Sequence, residues 1–489
     1  MSATGHGDAR DLEPFDDTGA ILERIGRLYN EAAHRVQRRF GRFLEGERQD
    51  SGQDAFYPYI GIEVGAGDLP DDMRLSWGAV RQPGTYGTTL TRPDLFQEYY
   101  RQQIEALLDH HRVPVYAGIS DRPISLPFID EETSTDIDPR DKRDMRRLFQ
   151  GPDLAHIDDS IANGTYEPAP GHPMPLSLFT AERVDLALNR IRHYTATDPR
   201  HFQGFVLFTN YQRYVDQFVE RARRAVARND EYIAFVEPGD VVTRPAAEGG
   251  TVAQGDPPAH LPQMPAYHAV RPDGLGVTLV NIGVGPANAK TVTDHLAVLR
   301  PHCWLMLGHC GGLRRSQRLG DYVLAHAYVR EDHVLDQDLP AWIPLPVIAE
   351  VQIALQEAVA TCTGLRGRDL KTRMRTGTVA TTDNRNWELR YKELYTRFSQ
   401  SRAVAVDMES ATIAANGFRL RVPYGTLLCV SDKPMHGELK LRNMANAFYR
   451  ESVNQHLTIG LETVRLLREA GVEQLHSRKL RSFQEPPFL

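Results

Sequence analysis

Cysteine is scarce in this chain of 489 residues: Cys303, Cys310, Cys362 and Cys429 are the only four, each within or beside an apolar stretch. They form no CxxC pair, so neither a disulfide framework nor a cysteine metal site is expected, and a reducing compartment fits. No stretch is apolar for long enough to cross a bilayer, and the opening MSATGHGDARDLEPF lacks a basic segment followed by an apolar run. The expectation is a cytoplasmic protein without a membrane partner. Excess positive charge is missing too: the formal net charge is −7, which gives no electrostatic footprint for nucleic acid. No repeat recurs at solenoid spacing.

What is present is an ordinary globular composition, 41% hydrophobic and 25% charged, in a chain longer than one hydrophobic core usually organises. Two domains are expected. The run from Asp17 to Leu44, ILERIGRLYNEAAHRVQRRFGRFL at its centre, places apolar residues at helical spacing. YPYIGIEV, VPVYAGIS and RPISLPFI are short β-prone runs, interleaved with the Gly/Thr-rich QPGTYGTTLTRP and a helix around LFQEYYRQQIEALLDHH. Residues 1–175 thus read as an α+β domain. The charged, proline-rich segment from Asp130 to Pro175 suits an exposed connection, with the domain change near Leu176.

Residues 176–478 read as an α/β domain with a mixed central sheet and flanking helices, and residues 479–489 as a tail. The polar stretch 243–265 reads as a flexible insertion loop that would cover a site. In the rest, GVTLVNIGVG, HCWLMLGHCGG, GDYVLAHAYVRED, TRMRTGTVATTD, AVAVDMES and YGTLLCVSDK alternate with helical runs.

Four of these carry chemistry. VNIGVGPANAK ends a strand in Gly283, Gly285 and Pro286 and opens a helix, a layout in which backbone N–H groups meet an anion or a sugar oxygen. It is not the dinucleotide fingerprint GxGxxG, because Ala287 and Asn288 follow Gly285. LMLGHCGGL ends a strand in glycines, and a buried structural role for His309 and Cys310 outweighs a metal role there. AVAVDMES delivers Asp407, Met408 and Glu409 just before a helix; locally, Glu409 reads equally as a helix cap or a sugar ligand. YGTLLCVSDKPMHGE carries Asp432 to a strand end, where a carboxyl partly withdrawn from water serves as a general acid or, equally, as a turn cap.

Taken in order, these segments resemble the nucleoside phosphorylase family of purine nucleoside phosphorylases, uridine phosphorylases and methylthioadenosine nucleosidases. The resemblance covers most of residues 190–470. It implies that Met408 and Glu409 hold a ribose, Glu409 through the sugar hydroxyls, and that Asp432 lies near purine N7. It also implies that His193 in RHYTATDPRHFQGFVLFTNYQRYVDQF reaches a neighbouring subunit's site and that Arg213 handles phosphate. Phosphorolytic members carry an arginine in the strand ahead of the glycine turn, where this chain has Met306; a thioether cannot pair with phosphate as guanidinium does, which favours water as nucleophile.

A narrower resemblance, to the AMP nucleosidase family, runs nearly the whole length through GHCGGLR, GDYVLAHAYVRED, TTDNRNWEL, VDMESATIAANGFR and SDKPMHGELK. It implies AMP as substrate, hydrolysis without a required cofactor, a homohexamer, activation by MgATP and inhibition by phosphate. For the 5′-phosphate the candidates are His193 with Tyr194 and Thr195, then Tyr267 and His268; for the base, Asp383, Arg385 and Trp387, with Trp387 equally readable as a core residue.

Overall fold

The computed structural model describes residues 5–47, 55–72, 74–129, 139–438, 446–475, 480–483 and 485–489. It divides into two units: residues 1–189 with 482–489, and residues 190–481.

In the first unit the order is β1 (Arg10–Phe15), α1 (Thr18–Leu44), β2 (Phe56–Val64), β3 (Gly84–Thr89), α2 (Pro93–His111), β4 (Val115–Pro123), α3 (Leu126–Ile129), α4 (Pro139–Leu148), β5 (Met174–Pro175) and the part of α5 (Ala181–Thr195) up to residue 189. The Asp17 carboxylate opens α1 by accepting from the Ala20 N–H at 2.8 Å, a cap worth about 1 kcal/mol. Ile21, Ile25, Leu28, Tyr29, Ala32, Val36 and Phe40 then recur on one buried face, the spacing that a 3.6-residue period demands. The sheet runs β1-β4-β2-β3-β5, antiparallel except for β3 with β5.

The second unit contains β6 (Phe205–Thr209), α6 (Gln212–Ala227), β7 (Ala234–Glu237), β8 (Val241–Pro245), β9 (Thr251–Gln254), β10 (Ala266–Val270), β11 (Val277–Asn281), α7 (Pro286–Leu296), β12 (Cys303–Gly312) and β13 (Tyr322–Glu331). It continues with α8 (Ala349–Thr363), α9 (Gly367–Arg373), β14 (Met374–Thr382), α10 (Tyr391–Gln400), β15 (Ala405–Asp407), α11 (Ser410–Arg419), β16 (Tyr424–Asp432) and α12 (Asn446–Ala470). The mixed sheet runs β15-β14-β13-β16-β12-β6-β11-β10-β7-β8-β9, and β15 also pairs with β12. The five strands β12, β16, β13, β14 and β15 therefore close on themselves. Their near-continuous apolar runs, such as Cys303–Cys310, follow from burial on both faces. This is the expected α/β class, beside an α+β first unit.

Three boundaries differ from the sequence reading. Residues 176–189 belong to the first unit: the Ala181 N–H donates to Thr89 Oγ1 at 2.9 Å, and Asp185 accepts from the Tyr57 and Thr91 hydroxyls, both at 2.7 Å. The chain end is no loose tail, since Phe488 is fully buried and donates to the Leu176 carbonyl at 3.0 Å, while Leu489 donates to Gln103 at 2.7 Å. The 243–265 loop is in part a hairpin, with β8 and β9 pairing antiparallel at the sheet edge; β9 is exposed throughout, which removed any apolar alternation from its sequence. Within the expected connection 130–175, residues 130–138 lie outside the described residues, whereas α4 ends in the buried Leu148, packed with Phe40 and Phe43.

Among the described residues no helix is long and apolar enough to cross a membrane. Cys303, Cys310 and Cys429 are buried free thiols, Cys362 is half-buried and free, and no group of His, Cys, Asp or Glu among the described residues could hold a metal ion.

Candidate active site

The ends of β6, β12, β14, β15 and β16 meet around a cavity of about 240 Å³ in the second unit. Its walls include Asn210, Tyr211, Val284, His309, Cys310, Trp387, Met408, Glu409, Ser431 and Asp432. Ligand sites of α/β sheets gather at such strand ends, where the ladder stops and turn residues supply polar atoms.

Two backbone devices aim the carboxylates. Between β12 and β16 the register slips, so that Cys310 faces Val430 but Gly311 faces Asp432. Ser431 is the extra residue of this bulge, which lets two successive side chains, Ser431 and Asp432, share the cavity wall that strict alternation would deny one of them. The Ser431 hydroxyl donates to Asp432 Oδ1 at 2.6 Å and fixes its orientation.

The second device is the start of α11. Glu409 makes no side-chain cap there; Asp407 takes that work, its Oδ2 accepting from the Ser410 N–H at 2.9 Å and from the Ser410 hydroxyl, its Oδ1 from Thr381 Oγ1 at 2.6 Å. Asp407 thereby has both oxygens committed to the scaffold and leaves Glu409 to the cavity. Glu409 is 1% exposed, accepts from the Gly285 N–H at 2.7 Å through Oε1 and from Asn210 Nδ2 at 3.0 Å through Oε2. Burial first, and the neighbouring Asp407 charge second, push its carboxyl well above the ordinary range; the two N–H donors oppose this. Burial also raises Asp407, against its hydroxyl donors. The Asn210 Oδ1 is buried and meets no partner among the described residues, so the cavity offers an unsatisfied acceptor beside Glu409.

Gly285, at φ +119°, stands at the start of α7 with Pro286 in the first helical position, and Gly283 turns at φ +66°. Both angles lie where a side chain is strained, which explains the glycines. The turn thus feeds its N–H to Glu409 rather than to a free anion.

The remaining sequence candidates divide. Met408 lines the cavity, as does Trp387, which is 7% exposed and packs edge-to-face on Phe398 at 5.6 Å within an apolar cluster; it is a core residue with one side on the cavity. Arg385 lines the cavity but is exposed, and Asp383 does not line it. His193 is exposed on α5, and Tyr194 stacks on His295 at 6.3 Å; neither lines this cavity. Tyr267 and His268 are buried in β10, with His268 bonded to Thr278 and Thr197 hydroxyls. Arg213 is exposed on the first turn of α6 and does not line the cavity, while the next residue, Tyr214, is fully buried and reaches towards His309. Met306 is fully buried in β12. Residues 439 and 440 of SDKPMHGELK lie outside the described residues.

Sequence reasoning missed Asn210 and Tyr211 and weighed His309, which also lines the cavity, only as a structural or a metal-binding residue. The signal was FTNYQRY following a fully apolar strand, in which β6 ends and polar side chains emerge at the same sheet edge as Gly283 and Gly308.

Comparison with known proteins agrees over both units. Residues 20–173 match the family described as the N-terminus of bacterial AMP nucleoside phosphorylase, and residues 266–465 match the phosphorylase superfamily. The AMP nucleosidase of Escherichia coli strain K12 is 48% identical over 473 residues, 96% of this chain and 97% of that protein; the AMP nucleosidase of Escherichia coli O157:H7 gives the same figures. The crystal structure of AMP nucleosidase from Bacteroides thetaiotaomicron VPI-5482 is 28% identical, covering 59% of this chain and 98% of that chain at a TM-score of 0.41. With nearly half of all positions shared along almost the full length of both proteins, the chain belongs to the AMP nucleosidase family.

Proposed function

We propose that this chain hydrolyses the N-glycosidic bond of AMP, releasing adenine and ribose 5-phosphate. One observation carries the reading: two carboxyl groups, Glu409 and Asp432, line one small cavity in different settings, the first held by two N–H donors and the second by a hydroxyl. Breaking the bond between C1′ and N9 builds positive charge on the ribose and negative charge on the departing base. An acid at the base lowers that barrier, and a positioned carboxyl group at the sugar holds the ribose for it. Asp432 gives a proton to N7 as the bond breaks. Glu409 accepts the ribose hydroxyls, Asn210 Oδ1 offers them a second acceptor, and Met408 packs on the sugar.

A purine nucleoside phosphorylase is the alternative enzyme. It is disfavoured because Met306 is a buried thioether where a phosphate-binding arginine would be needed. The familial features of a homohexamer with shared sites, 5′-phosphate contacts from His193 and Tyr194, activation by MgATP, inhibition by phosphate and a role in purine salvage complete the proposal. Sedimentation with and without these ligands tests the assembly.

The deciding assay is adenine release from AMP by the purified chain, with and without phosphate, with adenosine as control substrate and Asp432→Asn beside it. Phosphate-independent release selective for AMP, lowered about 10²–10⁴-fold in the variant, is expected. Release that requires phosphate makes the protein a phosphorylase. Silence, with or without MgATP, makes it a non-catalytic nucleotide sensor.

A further inference from the structure

AMP differs from adenosine by a group that carries a charge of about −1.5 to −2 at pH 7. The cavity described above is rich in carboxyl groups: Asp407, Glu409 and Asp432 within, and Glu388 at an exposed position. Carboxyl groups offer a phosphate no counter-charge; a cation must. Among the described residues that line the cavity, Arg385 is the one lysine or arginine. Arg213, the arginine singled out in the sequence for phosphate, does not line it.

Size and orientation put the phosphate where Arg385 stands. The cavity, about 240 Å³, is smaller than the roughly 300–1,000 Å³ that encloses a whole small ligand, so a nucleotide extends beyond it. Glu409, 1% exposed, marks the closed side and takes the ribose hydroxyls; with adenine at Asp432, the 5′-carbon is the part of the sugar left to face outward. A doubly charged phosphate at the rim also escapes the cost of leaving water. Val284, Arg385 and Glu388 are the exposed residues of the lining.

The turn after β14 holds Arg385 at that rim. The Asn384 N–H donates to Thr382 Oγ1 at 3.2 Å, the Asn386 N–H donates to Asn384 Oδ1 at 3.0 Å, and Trp387 anchors the far end on Phe398. The Arg385 guanidinium makes no ion pair or hydrogen bond with another described residue, Glu388 three positions on included. Its planar, permanently charged fork of donors is therefore uncommitted, and such a fork meets phosphate oxygens two at a time.

We propose that Arg385 is the specificity-determining residue that grips the 5′-phosphate of AMP, from the same chain that holds its ribose and base. The inference rests on the nucleosidase reading above. It makes the choice of nucleotide over nucleoside a property of the turn after β14.

The test compares wild type, Arg385→Met and Arg385→Lys in the full-length protein. It measures kcat and KM for AMP and for adenosine, together with the affinity for a C-nucleotide analogue of AMP and for its dephosphorylated C-nucleoside, whose carbon–carbon glycosidic bonds cannot be hydrolysed. Arg385→Met is expected to lose about 10–10²-fold in kcat/KM on AMP, chiefly through KM, and as much in C-nucleotide affinity, while the values for adenosine and the C-nucleoside stay within about threefold. Arg385→Lys keeps the charge without the fork and falls between. An equal loss with and without the phosphate overturns the role and places Arg385 at the base or in the fold. A preference for the phosphate that Arg385→Met leaves intact overturns it too and assigns the phosphate to other residues. Wild-type protein that releases no adenine overturns the nucleosidase reading, and the two analogues then decide Arg385 separately: a phosphate preference lost in Arg385→Met upholds it, and a wild type without that preference overturns it.

Discussion

Each unit buries a carboxyl group against ordinary solvation, and the two are built differently. In the first unit, Asp185 is 3% exposed and receives a hydroxyl on each oxygen, from Tyr57 and Thr91. Burial raises its pKa to about 7, partly offset by those two donors. In the second unit, Glu409 also has one donor per oxygen, but Asn210 leaves an acceptor without a described partner and an open cavity adjoins both. The burial penalty is shared; only the second carboxyl has room for a ligand to bond with it. A buried carboxyl is therefore a functional signal when a cavity adjoins it, and a structural tie when its partners enclose it.

The largest effect that sharpens this contrast belongs to Glu409→Gln. The glutamine keeps the volume, but its NH₂ must turn towards the Gly285 N–H or the Asn210 NH₂, a donor facing a donor, and one acceptor for the sugar hydroxyls is gone. Adenine release from AMP should fall at least about 10²-fold in kcat/KM, roughly 2.7 kcal/mol of transition-state stabilisation. Thermal stability should change far less than activity. Activity within a few-fold of wild type would place Glu409 with Asp185, as a structural tie.

The same contrast explains what the sequence made legible. Gly283, Gly285, Met408 and Glu409 follow closely on apolar strands and Asp432 ends one, and such an abrupt ending in small and charged residues marks a sheet edge whatever the tertiary arrangement. The choice between cap and ligand for Glu409 was not legible, because it depends on Asp407 reaching Ser410 and Thr381, a matter of β14 lying beside β15. Nor was the inward turn of Tyr214, whose hydroxyl meets His456, 242 residues away in α12. Arg213 drew attention instead through its charge, although on α6 it is the neighbour that faces inward. The bulge at Ser431 has no local sequence sign at all. In the first unit, Asp185 lies on a stretch that reads as the opening of the second domain; its bonds to Tyr57 and Thr91, beside that of Ala181 to Thr89, attach it to the first.

Tyr57→Phe probes the enclosed carboxyl at a smaller scale. It deletes the 2.7 Å hydroxyl bond and leaves one Asp185 oxygen buried with a single donor lost, which should destabilise the first unit by about 1–3 kcal/mol. Hydrogen exchange at β2 and β3 should speed up, while the catalytic rate on AMP stays at the wild-type value. A fall in rate with unchanged exchange would mean that the tie serves the reaction rather than the fold.

Asp185→Asn carries the smallest effect at neutral pH and the most diagnostic one across pH. With its folded pKa raised from 3.8 to about 7, the folded protein binds this proton more tightly than the unfolded chain does. The stabilisation from the protonated form is complete below pH 4 and is lost as pH rises through 7, so the first unit should weaken steadily over that window. Asparagine keeps an acceptor for one hydroxyl and a donor for the other, and it never ionises. The variant should show a flatter stability profile between pH 4 and 8 and should match or exceed wild type at pH 8, as measured by hydrogen exchange in β2, β3 and the Ala181–Asn189 turns of α5. An unchanged slope in the variant would mean that Asp185 stays ionised when folded, its two hydroxyl donors outweighing burial, and the distinction between an enclosed and an open carboxyl would then rest on the cavity alone.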